Sequence, residues 1–287
     1  MTERKSQFAI VGAGTMGHGI AQVAASAGSQ VTLYDVDADT LARAIDRIAG
    51  NLKRAVERGK IDAASQLATL ARVRPVSTLA AAVADADVVV ESVPESLPLK
   101  QQVMAEIAQL APTNALLATN TSSLSIARIA AATTDADRVI GMHFFNPVYA
   151  QALVEVVSGP ATSAASRERA LALVRDLGKE PIAVKDSPGF ASSRLGIVLG
   201  LEAMRMVEQG VATAAEIDRA VELGYRHHMG PLRTTDLVGL DVRLAIAETL
   251  FAELGGEQFR PPQILRDKVA AGELGQKSGR GFFDWDR

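Results

Sequence analysis

Cysteine is absent from this chain of 287 residues, which excludes disulfides and thiolate metal sites, and no metal site is expected. No apolar run approaches the roughly 20 residues that cross a bilayer, so no membrane partner is expected either. The sequence contains no internal repeat and no low-complexity segment. An excess of either charge is also missing: 30 Lys and Arg stand against 33 Asp and Glu, a formal net charge of −3. That balance argues against a general nucleic-acid binder. Residues 1–7 run straight into an apolar stretch and leave no room for a signal peptide, so the expectation is a cytoplasmic protein. Histidine is scarce, with His18, His143, His227 and His228 the whole supply.

What the chain does contain begins with Phe8-Ala9-Ile10-Val11-Gly12-Ala13-Gly14-Thr15-Met16-Gly17. An apolar run closing in G-x-G-x-x-G predicts a buried strand that turns sharply into a helix. Gly12 permits the turn, Gly14 lets a pyrophosphate approach the backbone, and Gly17 lets helix and strand pack. The helix opening at Thr15 and Met16 offers free N–H groups and a positive dipole end to the phosphates. A second strand, residues 30–34, ends at Asp35, 18 residues past Gly17. A carboxylate there holds both ribose hydroxyls and repels a 2′-phosphate, so the expected cofactor is NAD rather than NADP. The alternative is a glycine turn followed by a helix-capping aspartate.

Alternating strand and helix patterns over residues 1–186 predict an α/β fold, a Rossmann-type doubly wound parallel sheet. Helices over 38–58 and 62–70 are predicted to project as a hairpin. They carry Lys53, Arg54, Arg58 and Lys60, a basic group suited to the phosphates of a large substrate handle, or else a solvated face. Further strands are predicted at 72–76, 87–91, 115–119 and 181–184, and helices at 99–110 and 166–177. Ser123 or Ser125 is placed to cap a short helix. Beyond Lys185-Asp186-Ser187-Pro188-Gly189 the pattern is helical only, over 190–209, 214–223, 242–254 and 262–271. This predicts a second, all-helical C-terminal domain over 187–287. Its first helix is apolar on most faces, which points to burial between domains or subunits and to a homodimer.

Chemistry is expected at the strand ends. His143 ends a strand on the ligand edge, 21 residues after Ser122 and 12 before Glu155. Removing hydride from an alcohol carbon requires a base for the hydroxyl proton, and imidazole titrates in the right range. A carboxylate can hold the ring in one tautomer, and a serine hydroxyl can meet the substrate oxygen. The competing reading is a structural histidine.

At these residues the chain resembles the 3-hydroxyacyl-CoA dehydrogenases, and most closely their short bacterial 3-hydroxybutyryl-CoA type. The resemblance rests on GAGTMGHGIAQ at 12–22, ESVPE at 91–95, NTSSLSI at 120–126, GMHFFNPV at 141–148, LVEVV at 153–157, DSPGF at 186–190 and GQKSGRGFFDW at 275–285. It implies His143 as catalytic base, Glu155 as its orienting carboxylate and Ser122 as the hydroxyl facing substrate and nicotinamide. It also implies that Glu95, Lys100 and Asn146 line the cofactor or the active site, with an acyl-CoA as substrate. Lys100 could instead be a solvated helix charge, and Asn146 could simply shape the turn before Pro147.

Three departures accompany the resemblance. Ser193 stands where the family has an asparagine that helps hold the substrate; its shorter hydroxyl still donates. Arg226-His227-His228 replaces Asn-His-Pro before Met229-Gly230-Pro231, and Val148-Tyr149-Ala150-Gln151-Ala152 lacks the usual lysine before Leu153. Tyr149 and Ser193 together suggest an acyl pocket remodelled for something other than a plain C4 chain. Two other readings stay open here: a dehydrogenase of free hydroxy acids of the gulonate or carnitine kind, and a non-catalytic NAD-binding protein of the crystallin kind.

Overall fold

The computed structural model describes residues 5–285, which divide into two compact units at Ser187/Pro188. In the first unit, β1 (Phe8–Val11), β2 (Val31–Tyr34), β3 (Val73–Val76), β4 (Val88–Glu91), β5 (Leu116–Thr119), β6 (Val139–Phe144), β7 (Leu153–Ser158) and β8 (Glu180–Lys185) form one sheet. Its order is β3-β2-β1-β4-β5-β6-β7-β8. β1, β4, β5 and β6 are buried along their whole length, as strands covered on both faces must be.

The sheet is not parallel throughout, which corrects the sequence expectation. β1 to β6 run parallel, but β7 is antiparallel to β6, and β8 follows β7. Only residues 145–152 join β6 to β7. A parallel crossover needs a dozen or more residues, so so short a link forces the chain back on itself.

Helices α1 (Gly17–Ser26), α2 (Ala38–Glu57), α3 (Ala63–Ala71), α4 (Leu79–Val83), α5 (Leu97–Leu110), α6 (Ile126–Ala130) and α7 (Ala164–Asp176) connect the strands. The α2–α3 hairpin seats its inner row on the core through Ala44, Ile48 and Leu52, spaced by four. Lys53, Arg54, Arg58 and Lys60 stand exposed on it. α5 begins two residues earlier than expected because Pro98 fits the first helical turn. Ser125, and not Ser123, caps α6 by accepting from Arg128 N. α4 escaped the sequence reading: it is one short alanine-rich turn announced only by its Thr78 cap.

The second unit holds α8 (Ser192–Glu208), α9 (Ala214–Tyr225), α10 (Pro231–Val238), α11 (Leu240–Leu254) and α12 (Gln263–Ala270). Ile197, Leu201 and Met204 of α8 pack with Ile217, Leu250 and Leu265 in its core. Leu195 and Leu199 on the same helix remain exposed, at 71% and 39%. α10 was not predicted. Its N-terminal N–H groups, Leu232 and Arg233, donate to Asp218 of α9 at 2.8 Å, a cap supplied from another helix.

Asp236 of α10, fully buried, organises the C-terminal segment. It accepts from Phe282 N, Phe283 N and Trp285 Nε1, each at 2.9 Å. Arg233 lies over the Phe283 and Trp285 rings at 4.7 and 5.0 Å. Removing that carboxylate would strand three donors. Asp236→Ala is therefore expected to lower unfolding free energy by about 3 kcal/mol, read from urea denaturation.

Candidate active site

The glycine turn is built as the spacing demands. Gly12 has φ +98°, and a Cβ there would lie 2.7 Å from the Ser92 carbonyl. A Cβ on Gly17 would collide with the Gly12 carbonyl oxygen, whereas one on Gly14 would meet nothing within 4 Å. Gly12 and Gly17 are thus glycine for internal packing, and Gly14 borders open space that a pyrophosphate can enter. Thr15 is exposed beside it, and Met16 is half-buried against the core. His18 Nδ1 is 2.8 Å from Gly14 O, so this ring braces the turn. Asp35 accepts from Ala13 N at 2.7 Å and from Asp37 N at 3.0 Å, which fastens the ribose-side carboxylate to the turn. Next to it lies an open groove of about 470 Å³ lined by Val36, Leu41, Pro75 and Val76, apolar enough for a purine ring. These features fit NAD: a cradle kept free of Cβ atoms, a carboxylate for the ribose and an apolar slot.

At the neighbouring strand ends a buried ion pair ties two loops together. Lys100 of α5 is 0% exposed, and its ammonium donates to Glu91 Oε1 at 2.8 Å, Asn120 O at 3.0 Å and Val93 O at 3.3 Å. Its three hydrogens are spent inside the protein. This overturns the solvated-charge reading and makes Lys100 a group that fastens the loops. Glu91 also accepts from Thr119 Oγ1 at 2.6 Å and Val93 N at 2.7 Å. Burial pushes its carboxyl upward from the ordinary range, and Lys100 with the two other donors pulls it back. Glu95, 3.7 Å from the same ammonium, accepts from Thr121 Oγ1 and from Ser122 N. The side chain of Asn120 accepts from Phe144 N at 3.0 Å. Glu91, Thr119 and Asn120 were missed in the sequence. A carboxylate closing the run Val88-Val89-Val90 was the one available signal, since a strand buried on both faces has no cheap place for a charge.

Ser122, His143 and Glu155 are brought together. In the antiparallel register of β6 and β7, His143 stands directly opposite Glu155. His143 Nδ1 is 2.7 Å from Glu155 Oε2, and Ser122 Oγ is 3.1 Å from His143 Nε2. Glu155 is fully buried and His143 nearly so, with the Phe145 ring 4.3 Å from the imidazole. An ionised carboxylate only accepts, so Nδ1 carries a hydrogen and Nε2 of the neutral ring keeps its lone pair toward Ser122. Asn146 is exposed in the β6–β7 link and precedes a cis proline, Pro147. Tyr149 is half exposed in the same link. Ser193 is half-buried in the first turn of α8, in the second unit.

Lys100→Met would leave the Glu91 carboxylate buried without a counter-charge, at a cost of about 3–5 kcal/mol in denaturant unfolding. The double variant with Glu91→Gln is expected to recover most of it. Gly14→Ala, with open space around it, should melt with the wild type. Its NADH dissociation constant, measured by fluorescence titration, should rise about tenfold or more as the methyl group meets the pyrophosphate.

Comparison with known proteins agrees with this geometry. The family description "3-hydroxyacyl-CoA dehydrogenase, NAD binding domain" matches residues 7–187, and the C-terminal domain of the same family matches 189–285. A probable 3-hydroxybutyryl-CoA dehydrogenase of Bacillus subtilis is 42% identical, covering 98% of this chain and 97% of that one. A 3-hydroxyadipyl-CoA dehydrogenase of Escherichia coli is 44% identical over 96% of this chain, which spans only 58% of that longer protein. The crystal structure of (S)-3-hydroxybutyryl-CoA dehydrogenase from Ralstonia eutropha superposes with a TM-score of 0.95 at 39% identity, covering 98% and 99% of the two chains. With both of its units matched from strand β1 to the C-terminal aromatic cluster, the chain belongs to the 3-hydroxyacyl-CoA dehydrogenase family.

Proposed function

We propose that the protein oxidises the C3 hydroxyl of an L-3-hydroxyacyl-CoA, and reduces the 3-ketoacyl ester in the reverse direction, with His143 as base and acid. The hydrogen-bonded chain Ser122–His143–Glu155 carries this reading. NAD, when bound, supplies the nicotinamide that accepts hydride from C3. The hydroxyl proton passes to His143 Nε2 as the C3–O bond becomes a carbonyl. The imidazolium so formed keeps its Nδ1 hydrogen on Glu155, whose buried charge stabilises it. Ser122 donates to the reacting oxygen, held in place by its backbone bond to Glu95.

Cofactor contacts fall to Gly12, Gly14, Thr15, Met16, Gly17 and Asp35, with Glu95 and Asn146 at the nicotinamide end. Asn146 also meets the substrate, Ser193 joins Ser122 in holding its oxygens, and Lys53 and Lys60 reach the phosphates of the CoA handle. The relatives are named for a four-carbon acyl group and for a six-carbon one bearing a second carboxylate, and both lie within this substrate class. Family membership, together with Ser122, His143 and Glu155, favours this reading over a free hydroxy acid substrate or a non-catalytic crystallin-like role. The exposed apolar residues Leu195, Leu199, Val238 and Val242 support a homodimer through the second unit. Cytoplasmic fatty-acid or related acyl-CoA metabolism, including β-oxidation, is the setting that suits the chemistry.

Acetoacetyl-CoA should drive NADH oxidation by the purified protein. His143→Gln is expected to cut kcat by about 10³-fold while NADH binding stays near the wild-type value. Undiminished turnover would remove His143 from the mechanism.

A further inference from the structure

Residues 145–152, the link between β6 and β7, carry Phe145 against the His143 ring and, beside it, Asn146. The strands fix the two ends of the link. Phe144 N donates to Asn120 Oδ1 at 3.0 Å, and Glu180 N, at the start of β8, donates to Ala152 O at 2.9 Å. Inside the link, Ala150 N and Gln151 N both donate to Pro147 O, at 2.9 and 3.1 Å. These bonds close a turn but do not tie it to a neighbour.

Two further contacts do. Val148 is buried in this otherwise exposed stretch, and it packs on α1: a Cβ on Gly19 would lie 2.8 Å from Val148 Cγ2. Gly19 stands two residues past Gly17, so the helix that opens on the cofactor turn also seats the link. From the other side, Lys179 donates its ammonium to Val148 O at 2.7 Å and to Gln151 O at 2.6 Å. Those carbonyls flank Tyr149 and Ala150, so one side chain clamps the whole turn.

Lys179 is itself anchored. Its backbone N donates to Val174 O at 3.1 Å, which closes the last turn of α7 after Gly178 at φ +71°. The side chain is half-buried, and burial alone pulls its pKa below the ordinary lysine value. An ammonium partly removed from water and given to two backbone carbonyls is a costly fastening for a surface turn. The cost is understandable if the position of the turn matters. Asn146 is two residues from the clamped Val148, a span of at most about 7 Å, so little chain is available to absorb a displacement.

We propose that Lys179 is a positioning residue for the dehydrogenase reaction: by clamping the Val148 and Gln151 carbonyls it sets the place of Asn146 at the reacting end of the site. This rests on the reading above that Asn146 meets the nicotinamide end and the substrate. Gly14, Asp35, Lys53 and Lys60 lie outside the link. The clamp therefore acts on the reaction step more than on the hold over either cofactor or CoA handle.

The test is a double-mutant cycle of Lys179→Met and Asn146→Ala, with acetoacetyl-CoA and NADH as substrates. NADH titration counts the folded sites of each variant, so kcat is expressed per binding site and partial unfolding does not enter it. Lys179→Met should lower kcat by about 10- to 100-fold, the scale of a misplacement of about 1 Å at a reacting centre. The NADH dissociation constant and the KM for acetoacetyl-CoA should stay near the wild-type values. Lys179→Arg, which can still donate to both carbonyls, should regain most of the rate. In the Asn146→Ala background, Lys179→Met should cost no more than about threefold, because the two act through one group. Independent, additive losses overturn the proposal, as does a wild-type kcat in either single variant. A loss of substrate and NADH affinity in parallel with kcat, or an Arg variant as slow as the Met variant, overturns it too. All of these outcomes leave the dehydrogenase reading standing. A wild-type protein that fails to oxidise NADH with acetoacetyl-CoA removes that reading, and the role of Lys179 with it.

Discussion

A carboxylate with no access to water, set against an imidazole across two antiparallel strands, is the constraint on which the site depends. Glu155 can remain ionised there only if a donor meets it, and His143 Nδ1 does so at 2.7 Å. That single bond fixes the tautomer and stops ring rotation. It also aims the free nitrogen at Ser122 and prepares a counter-charge for the imidazolium. Directly opposed residues of an antiparallel pair have their side chains close and on one face. The reversal of β7 is therefore what places the carboxylate where the base needs it.

Around this pair the protein spends buried polar groups on rigidity. The Glu91–Lys100 pair lies at the junction of the loop after β4 and the loop after β5. Its oxygen and ammonium partners run through Val93, Asn120 and Glu95 to the backbone of Ser122 and, by way of Asn120, to the strand carrying His143. In low dielectric such a network is strong only when every member is satisfied, and here the ammonium and the Glu91 oxygens all are. Arg243 Nε and Thr235 Oγ1 in the second unit are the contrast: buried polar atoms with no partner among the described residues.

Much of this was legible in order along the chain. The run Phe8 to Gly17 announced its strand, turn and helix because each glycine answers a local steric demand, and Asp35 followed at the distance one βαβ unit requires. Ser122, His143 and Glu155 could be named from their types, their spacing and a family resemblance. The pairing of Lys100 with Glu91 was not legible, because a lysine in an amphipathic helix looks the same whether its end faces water or a buried carboxylate. α10 was overlooked although Pro231 opens its first turn; its cap, Asp218, comes from a different helix, and local signals cannot report a distant acceptor.

The sequence alone determined what depends on neighbours within a few residues: the glycine turn, the alternation of strand and helix, a serine cap at the start of α6, and the change to an all-helical pattern after Pro188. Tertiary structure decided what depends on residues far apart in the chain. It set the direction of β7, the burial of Lys100 against Glu91, the anchoring of the C-terminal aromatics on Asp236, and the isolation of Arg243. The physical reason is that propensity and periodicity act through the local backbone, whereas burial, register and charge compensation exist only once separate segments have met.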